Sequence, residues 1–217
     1  MDLVALEIEL KKRWQFPYNW QGKRQNNERD EHTAFIYKKF LLSDVVDEIN
    51  AKFMDRSDGS ELRDYALNRW YNYWSARAIE YIFATHPRVV KESNVYHQSI
   101  DFYIDNIPFD HKTSVYPKAF NAKNYLDDPD KKFPTRHLIN WLYASQSIEN
   151  RHHYDNRLFI VLYDSYDLEH WKLKAEILGI RTIINNYLDQ FDPAKLHEFY
   201  FKADHITLAD IIWVHKK

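Results

Sequence analysis

Residues 100–114 read Ile-Asp-Phe-Tyr-Ile-Asp-Asn-Ile-Pro-Phe-Asp-His-Lys-Thr-Ser, and this stretch admits few folds other than a β-hairpin. Apolar and polar or aromatic residues alternate on both sides of Asp105-Asn106. Both central residues tolerate the left-handed backbone of a two-residue turn. With the turn there, Ile104 faces Ile107, Phe102 faces Phe109 and Asp101 faces Asp110. Side chains alternate with a period of two along a strand. Ile100, Phe102, Ile104, Ile107 and Phe109 then form one apolar face, and Asp101, Asp110 and Lys112 gather on the other. Like charges directly opposite each other cost a bare hairpin a few tenths to about 1 kcal/mol. A divalent cation between them reverses that sign, with Lys112 one pleat away.

The surroundings of the hairpin have a definite order. A long helix is expected from about Glu61 to Thr85, then a strand from Arg88 to Val95, then the hairpin. A helix from Pro134 to Ile148 follows the irregular, lysine-bearing stretch Tyr116–Phe133, and the apolar run Arg157–Asp164 reads as a buried strand. On the Pro134 helix, Leu138, Trp141, Leu142 and Ile148 are expected inward, and Arg136, Asn140, Tyr143 and Ser147 outward. Toward the N-terminus, residues 2–14 suggest a short helix, and Ser43 is a plausible cap for a helix through Phe53. Toward the C-terminus, residues 167–187 suggest a helix broken near Gly179, and Glu198–Lys202 and Ala209–His215 read as closing strands.

Asp101, eight intervening residues, then Asp110-x-Lys112 resembles the PD-(D/E)XK nuclease motif, and the order helix, three-strand meander, helix, strand is similar to that superfamily's core. The resemblance covers roughly residues 60–165. Ile100 stands where the motif's proline would be, and Asp110 stands in the Asp/Glu position. The resemblance implies an α/β fold with a restriction-endonuclease-like mixed central sheet flanked by helices. The chain's length of 217 residues and the lack of a linker or internal repeat suggest a single domain over 1–217, with 60–165 as the nuclease-like core, 1–59 as a helical addition and 166–217 as a closing helix and strands.

The resemblance further implies Mg²⁺ or Mn²⁺ held by Asp101, Asp110, the His111 backbone carbonyl and Glu80. Glu80 is the candidate for the glutamate that many relatives place on the preceding helix. A carboxylate on the largely apolar stripe of Tyr73, Ala76, Phe83 and Ala84 needs a partner, for which Arg77 and a metal are the options. Lys112 would orient the attacking water, lower its pKa or neutralise charge beside it. Hydrolysis of a DNA phosphodiester, leaving a 5′-phosphate, is the implied reaction. Ser114, Lys118, Lys123, Lys131, Lys132 and Arg136 are the expected nucleic-acid contacts, with double-stranded DNA as partner and a homodimer as a further expectation by analogy.

Composition narrows the alternatives. Three glycines, without a phosphate-binding glycine motif, argue against nucleotide-driven chemistry. The absence of cysteine excludes disulfides, thiolate zinc sites and a cysteine nucleophile. The formal net charge of −2 makes any nucleic-acid footprint local. The N-terminal residues are too acidic for a signal peptide and no apolar run has membrane-spanning length, so a cytoplasmic protein without membrane contact is expected. The alternatives to a nuclease are a catalytically inactive nucleic-acid-binding or structural protein with the same fold, and a glycoside hydrolase suggested by the many Trp and Tyr residues. The latter needs two carboxylates about 5 Å or more apart and has no use for Lys112. Strand alternation turns His111 away from the carboxylates, and Arg151-His152-His153 reads as a polar loop.

Overall fold

Asp105 and Asn106 both adopt positive φ, 49° and 67°, the requirement of the hairpin turn whose twist matches that of its strands. In this computed structural model, which describes residues 1–19, 27–94, 97, 99–120, 134–145 and 154–216, the turn joins β2 (Phe102–Ile104) to β3 (Ile107–Val115). Their antiparallel register pairs Phe102 with Phe109 and Ile104 with Ile107, as the alternation requires. Arg88 straddles the turn, pairing with the Asp105 carboxylate and donating to the Leu188 carbonyl at 2.8 Å.

The chain forms two compact units, Met1–Tyr81 with Lys174–Ile180, and Ile82–Leu173 with Arg181–Lys217. The first is helical. α1 (Leu3–Lys12) and α3 (Leu42–Phe53) belong to it, with the short α2 (Asn27–His32) and most of α4 (Gly59–Ala84). Leu6 and Leu10 of α1, Val45 of α3 and Trp70 and Tyr71 of α4 are fully buried. Arg13 is also buried, and its guanidinium donates to the carbonyls of Phe16 and Pro17 and to Asn68 Oδ1 at 2.7, 3.0 and 2.8 Å. Ser43 is not the cap of α3. The helix begins one residue earlier and has no local side-chain cap. The buried carboxylate of Glu9 accepts the Leu42 N–H at 3.0 Å, so an acceptor from α1 does the work of the cap.

The second unit is α/β. Six strands lie in the order β1-β2-β3-β4-β6-β5, with β1 at Val89–Lys91, β4 at Arg157–Asp164, β5 at His197–Lys202 and β6 at His205–Lys216. β1, β2 and β3 form an antiparallel meander. β3, β4 and β6 are parallel, and β5 closes the edge antiparallel to β6 with a bulge between Phe199 and Lys202. The sheet is therefore mixed. Leu158 to Leu162 of β4 are all fully buried, as a central parallel strand covered on both faces requires. α5 (Thr135–Ser145) covers one face, with Leu138, Ile139, Leu142 and Tyr143 packed with Phe159, Val161, Ala209 and Ile211. Against the other face, Phe83 stacks on Phe102 at 4.5 Å, and Tyr187 of α6 (Ile177–Asp189) bonds Asp210 at 3.0 Å. α6 starts after a 3₁₀ turn at His170–Ala175, so the break expected at Gly179 falls before Ile177. Among the described residues no helix is long and apolar enough to cross a membrane.

Two glycines carry opposite expectations. A Cβ on Gly59 would lie 2.0 Å from the Phe53 carbonyl oxygen, whereas one on Gly179 meets nothing within 4 Å. Gly59→Ala forces α3 and α4 apart at their junction and is expected to cost roughly 1–3 kcal/mol. Gly179→Ala, at an exposed helical position, should stabilise by about 0.5–1 kcal/mol. Urea unfolding of both variants checks the pair.

Candidate active site

Asp101 precedes β2 and is held in register by its backbone N–H, which donates to the Phe109 carbonyl at 2.9 Å. Asp110 sits on β3 one residue beyond, and the two carboxylates lie within hydrogen-bond reach of each other. Asp101 Oδ2 accepts the His111 backbone N–H at 2.8 Å and contacts His111 Nδ1 at 2.6 Å. The His111 ring packs against the stacked Phe83 and Phe102 rings, its centroid 5.8 Å from each. His111 thus does point to the opposite face of the strand, yet Asp101, at the strand's end, reaches it.

Asp110 has a partner that sequence reasoning missed. The parallel register sets Arg157 of β4 beside Asp110, and Arg157 Nε donates to Asp110 Oδ2 at 2.6 Å. Their side chains are 12% and 23% exposed, so this is a largely desolvated ion pair. The guanidinium rests 5.4 Å from the Tyr143 ring centroid and 5.8 Å from that of Phe159. Tyr143 had been expected on the outer stripe of its helix. It is buried, and its hydroxyl donates to the Asp155 carbonyl at 2.9 Å. Lys112, two residues beyond Asp110, shares its strand face by the alternation of β3 and keeps a solvent-exposed side.

The environment separates the two carboxyl groups. Burial pushes the Asp110 carboxyl up and the neighbouring Asp101 charge adds to this, against the opposing pull of Arg157. Burial acts the same way on Asp101, but the hydrogen bond and charge of His111 outweigh it and hold that carboxyl below its usual range. Lys112 is lowered by its crowded surroundings and by Arg157, partly offset by Asp110.

Glu80 takes a partner on its own helix. It lies in the helical unit and pairs with Arg77 at 3.0 Å. Arg77, three residues earlier on the same helix, is one of the two partners the sequence offered for Glu80. Ser114 Oγ donates to the Val115 carbonyl at 3.2 Å. Lys118 is exposed just beyond β3. Arg136 is engaged, donating to the Glu198 carbonyl at 2.8 Å and lying 4.7 Å from the Phe199 ring centroid. Lys123, Lys131, Lys132 and the Arg151-His152-His153 run lie outside the described residues.

Comparison with protein-family models, with curated proteins and with solved structures finds no match. The chemistry of the site therefore rests on its own geometry. Among the described residues no group of three or more His, Asp or Glu side chains is arranged to hold a metal. A pair of touching carboxylates is nevertheless a donor set that suits a hard divalent cation, with backbone carbonyls and water completing the shell. Two such groups close together disfavour each other's ionisation, which Arg157 beside Asp110 and His111 beside Asp101 offset. On donor chemistry the pair fits Mg²⁺ or Mn²⁺.

The carboxyl pair should titrate in two steps, as coupled acids do. Carboxyl-carbon NMR is expected to show one step below and one above the ordinary aspartate value of about 3.9. The signs follow from linkage. Asp101, depressed in the folded state, contributes stability above the unfolded pKa that is lost as pH falls through the folded value. Asp110, raised in the folded state, lowers stability as pH rises from the unfolded to the folded value. Asp110→Asn should abolish the upper step, and an unchanged upper step would assign it elsewhere.

Proposed function

We propose that this chain is a divalent-metal-dependent nuclease of the PD-(D/E)XK kind, with a restriction-endonuclease-like core, acting on a DNA phosphodiester. The single observation that carries the reading is the close approach of the Asp101 and Asp110 carboxylates on a hairpin whose next residue on that face is Lys112. The order of elements agrees with it, since α4, the β1-β2-β3 meander, α5 and the parallel β4 follow one another as such a core requires.

In this reading Asp101 and Asp110 hold the cation, with the His111 carbonyl as a further oxygen donor. A bound Mg²⁺ or Mn²⁺ supplies Lewis-acid polarisation of the scissile phosphate and stabilises its growing charge. Lys112 faces the attacking water and the phosphate, and its lowered pKa suits a group that must hold or yield a proton there. His111 keeps Asp101 oriented through two contacts to one oxygen, leaving the other oxygen for the metal. Double-stranded DNA is the first substrate to test.

One observation favours a second reading, a nucleic-acid-binding protein of this fold without turnover. Both carboxylates already have protein partners, His111 and Arg157, so neither depends on a metal for a partner.

Incubation with supercoiled and linear DNA in Mg²⁺ or Mn²⁺, with and without EDTA, separates the two. Metal-dependent cleavage is expected. Lys112→Ala should keep Mn²⁺ binding and lose about a hundredfold or more in rate, roughly 3 kcal/mol of transition-state stabilisation. Asp101→Ala should lose both. Undiminished cleavage by Lys112→Ala removes the catalytic assignment, and binding without cleavage by the wild type selects the second reading.

A further inference from the structure

Arg157 is more than the electrostatic counterweight of Asp110. A guanidinium carries five N–H donors in a rigid fork. Here one, on Nε, is used by Asp110, while Nη1 and Nη2 have no hydrogen-bond partner among the described residues. The side chain is 12% exposed, and neither Nη is among the fully buried nitrogens left without a partner, so the fork opens toward the margin of the site. The guanidinium carbon lies over the Tyr143 and Phe159 rings, 5.4 and 5.8 Å from their centroids. Lys112 is the neighbouring cation. Arg157 stands beside Asp110 in the register, Lys112 is paired with Phe159 two residues further along, and among the described residues the Lys112 ammonium has neither a hydrogen bond nor an ion pair. Two cations thus flank one carboxylate, and both keep unused donors. Water can serve the exposed Lys112 ammonium, whereas the Nη donors of the mostly covered Arg157 are placed for an anion bound beside Asp110.

We infer that Arg157 and Lys112 together form a phosphate-binding position beside the carboxylate pair, which takes a phosphodiester group of a nucleic acid through the Nη amino groups of Arg157. This rests on the nuclease reading for the identity of the ligand, and on the geometry alone for the anion. Arg157 serves two groups at once. Nε holds Asp110 in place, and the Nη fork meets the phosphate oxygens in the two-pronged manner that guanidinium favours. A lysine in its place could not do both.

The test uses a fluorescently labelled DNA duplex in Ca²⁺, chosen to permit binding without turnover, with Mn²⁺ binding measured by calorimetry on the same proteins. Arg157→Gln is expected to weaken duplex binding about tenfold or more, as loss of a charge-assisted bidentate contact does, and to leave Mn²⁺ affinity equal or tighter because a competing cation is gone. The slope of log affinity against log salt should shrink by about one phosphate's worth, roughly 0.9. Arg157→Lys keeps the charge beside Asp110 while giving up the fork, should preserve the fold, and should fall between the two. Inorganic phosphate in excess separates the ligand sources, and displacement of the duplex from the wild type but not from Arg157→Gln marks the same site. Unchanged duplex affinity in both variants overturns the inference, whatever the metal does. A wild type that binds no Mn²⁺, yet loses duplex affinity on Arg157→Gln, removes the metal reading and leaves the phosphate position standing.

Discussion

The register of one hairpin decides where the chemistry of this molecule can lie. Asp105 and Asn106 accept left-handed backbone, and the turn they make sets Phe102 opposite Phe109. A slip of one residue would send every side chain of the strand to the other face. Phe102 and Phe109 would leave the core, and the two carboxylates would enter it. The apolar face pins the register thermodynamically while the turn pins it locally. Arg88, tied to both Asp105 and the Leu188 carbonyl, anchors the turn to α6.

The second fixing point is the Asp110–Arg157 pair between β3 and β4. Removing one partner of a buried ion pair typically costs about 3–5 kcal/mol, because the survivor is left charged and unpaired. The pair therefore does little as net stabilisation and much as a constraint on which residues of two parallel strands stand side by side. Tyr143 and Phe159 complete the restriction, with the guanidinium carbon lying over their rings. The same residues that close the core under α5 thus aim the polar groups at its margin.

Much of this was legible in the amino-acid order, and the parts that were not share a cause. The Asp105-Asn106 turn and strand Arg157–Asp164 depend on local alternation and on residue types, which a sequence displays directly. Arg157 as a partner of Asp110 depends on the register between parallel strands, set by packing across a crossover rather than by any adjacent turn. Tyr143 was mis-phased because an amphipathic tyrosine satisfies an outward as well as an inward position until its hydroxyl finds the Asp155 carbonyl. Glu9 capping α3 in place of Ser43 is a tertiary contact across 33 positions, invisible to a local rule. Glu80 had its answer in view, since Arg77 lies three residues away on the same helix.

The two margins of the sheet differ in a way that bears on self-association. An exposed strand edge is a template for a neighbouring chain, and proteins blunt such edges with short strands, bulges and charge. β1 is only three residues long. β5 is longer, but its bulge between Phe199 and Lys202 breaks the ladder, and its outward positions carry Glu198 and Lys202 around the exposed Tyr200. A sheet with six strands and an unbroken apolar centre is the kind of assembly that could nucleate fibrils, and these two short or interrupted borders leave it no flat rail on which to grow.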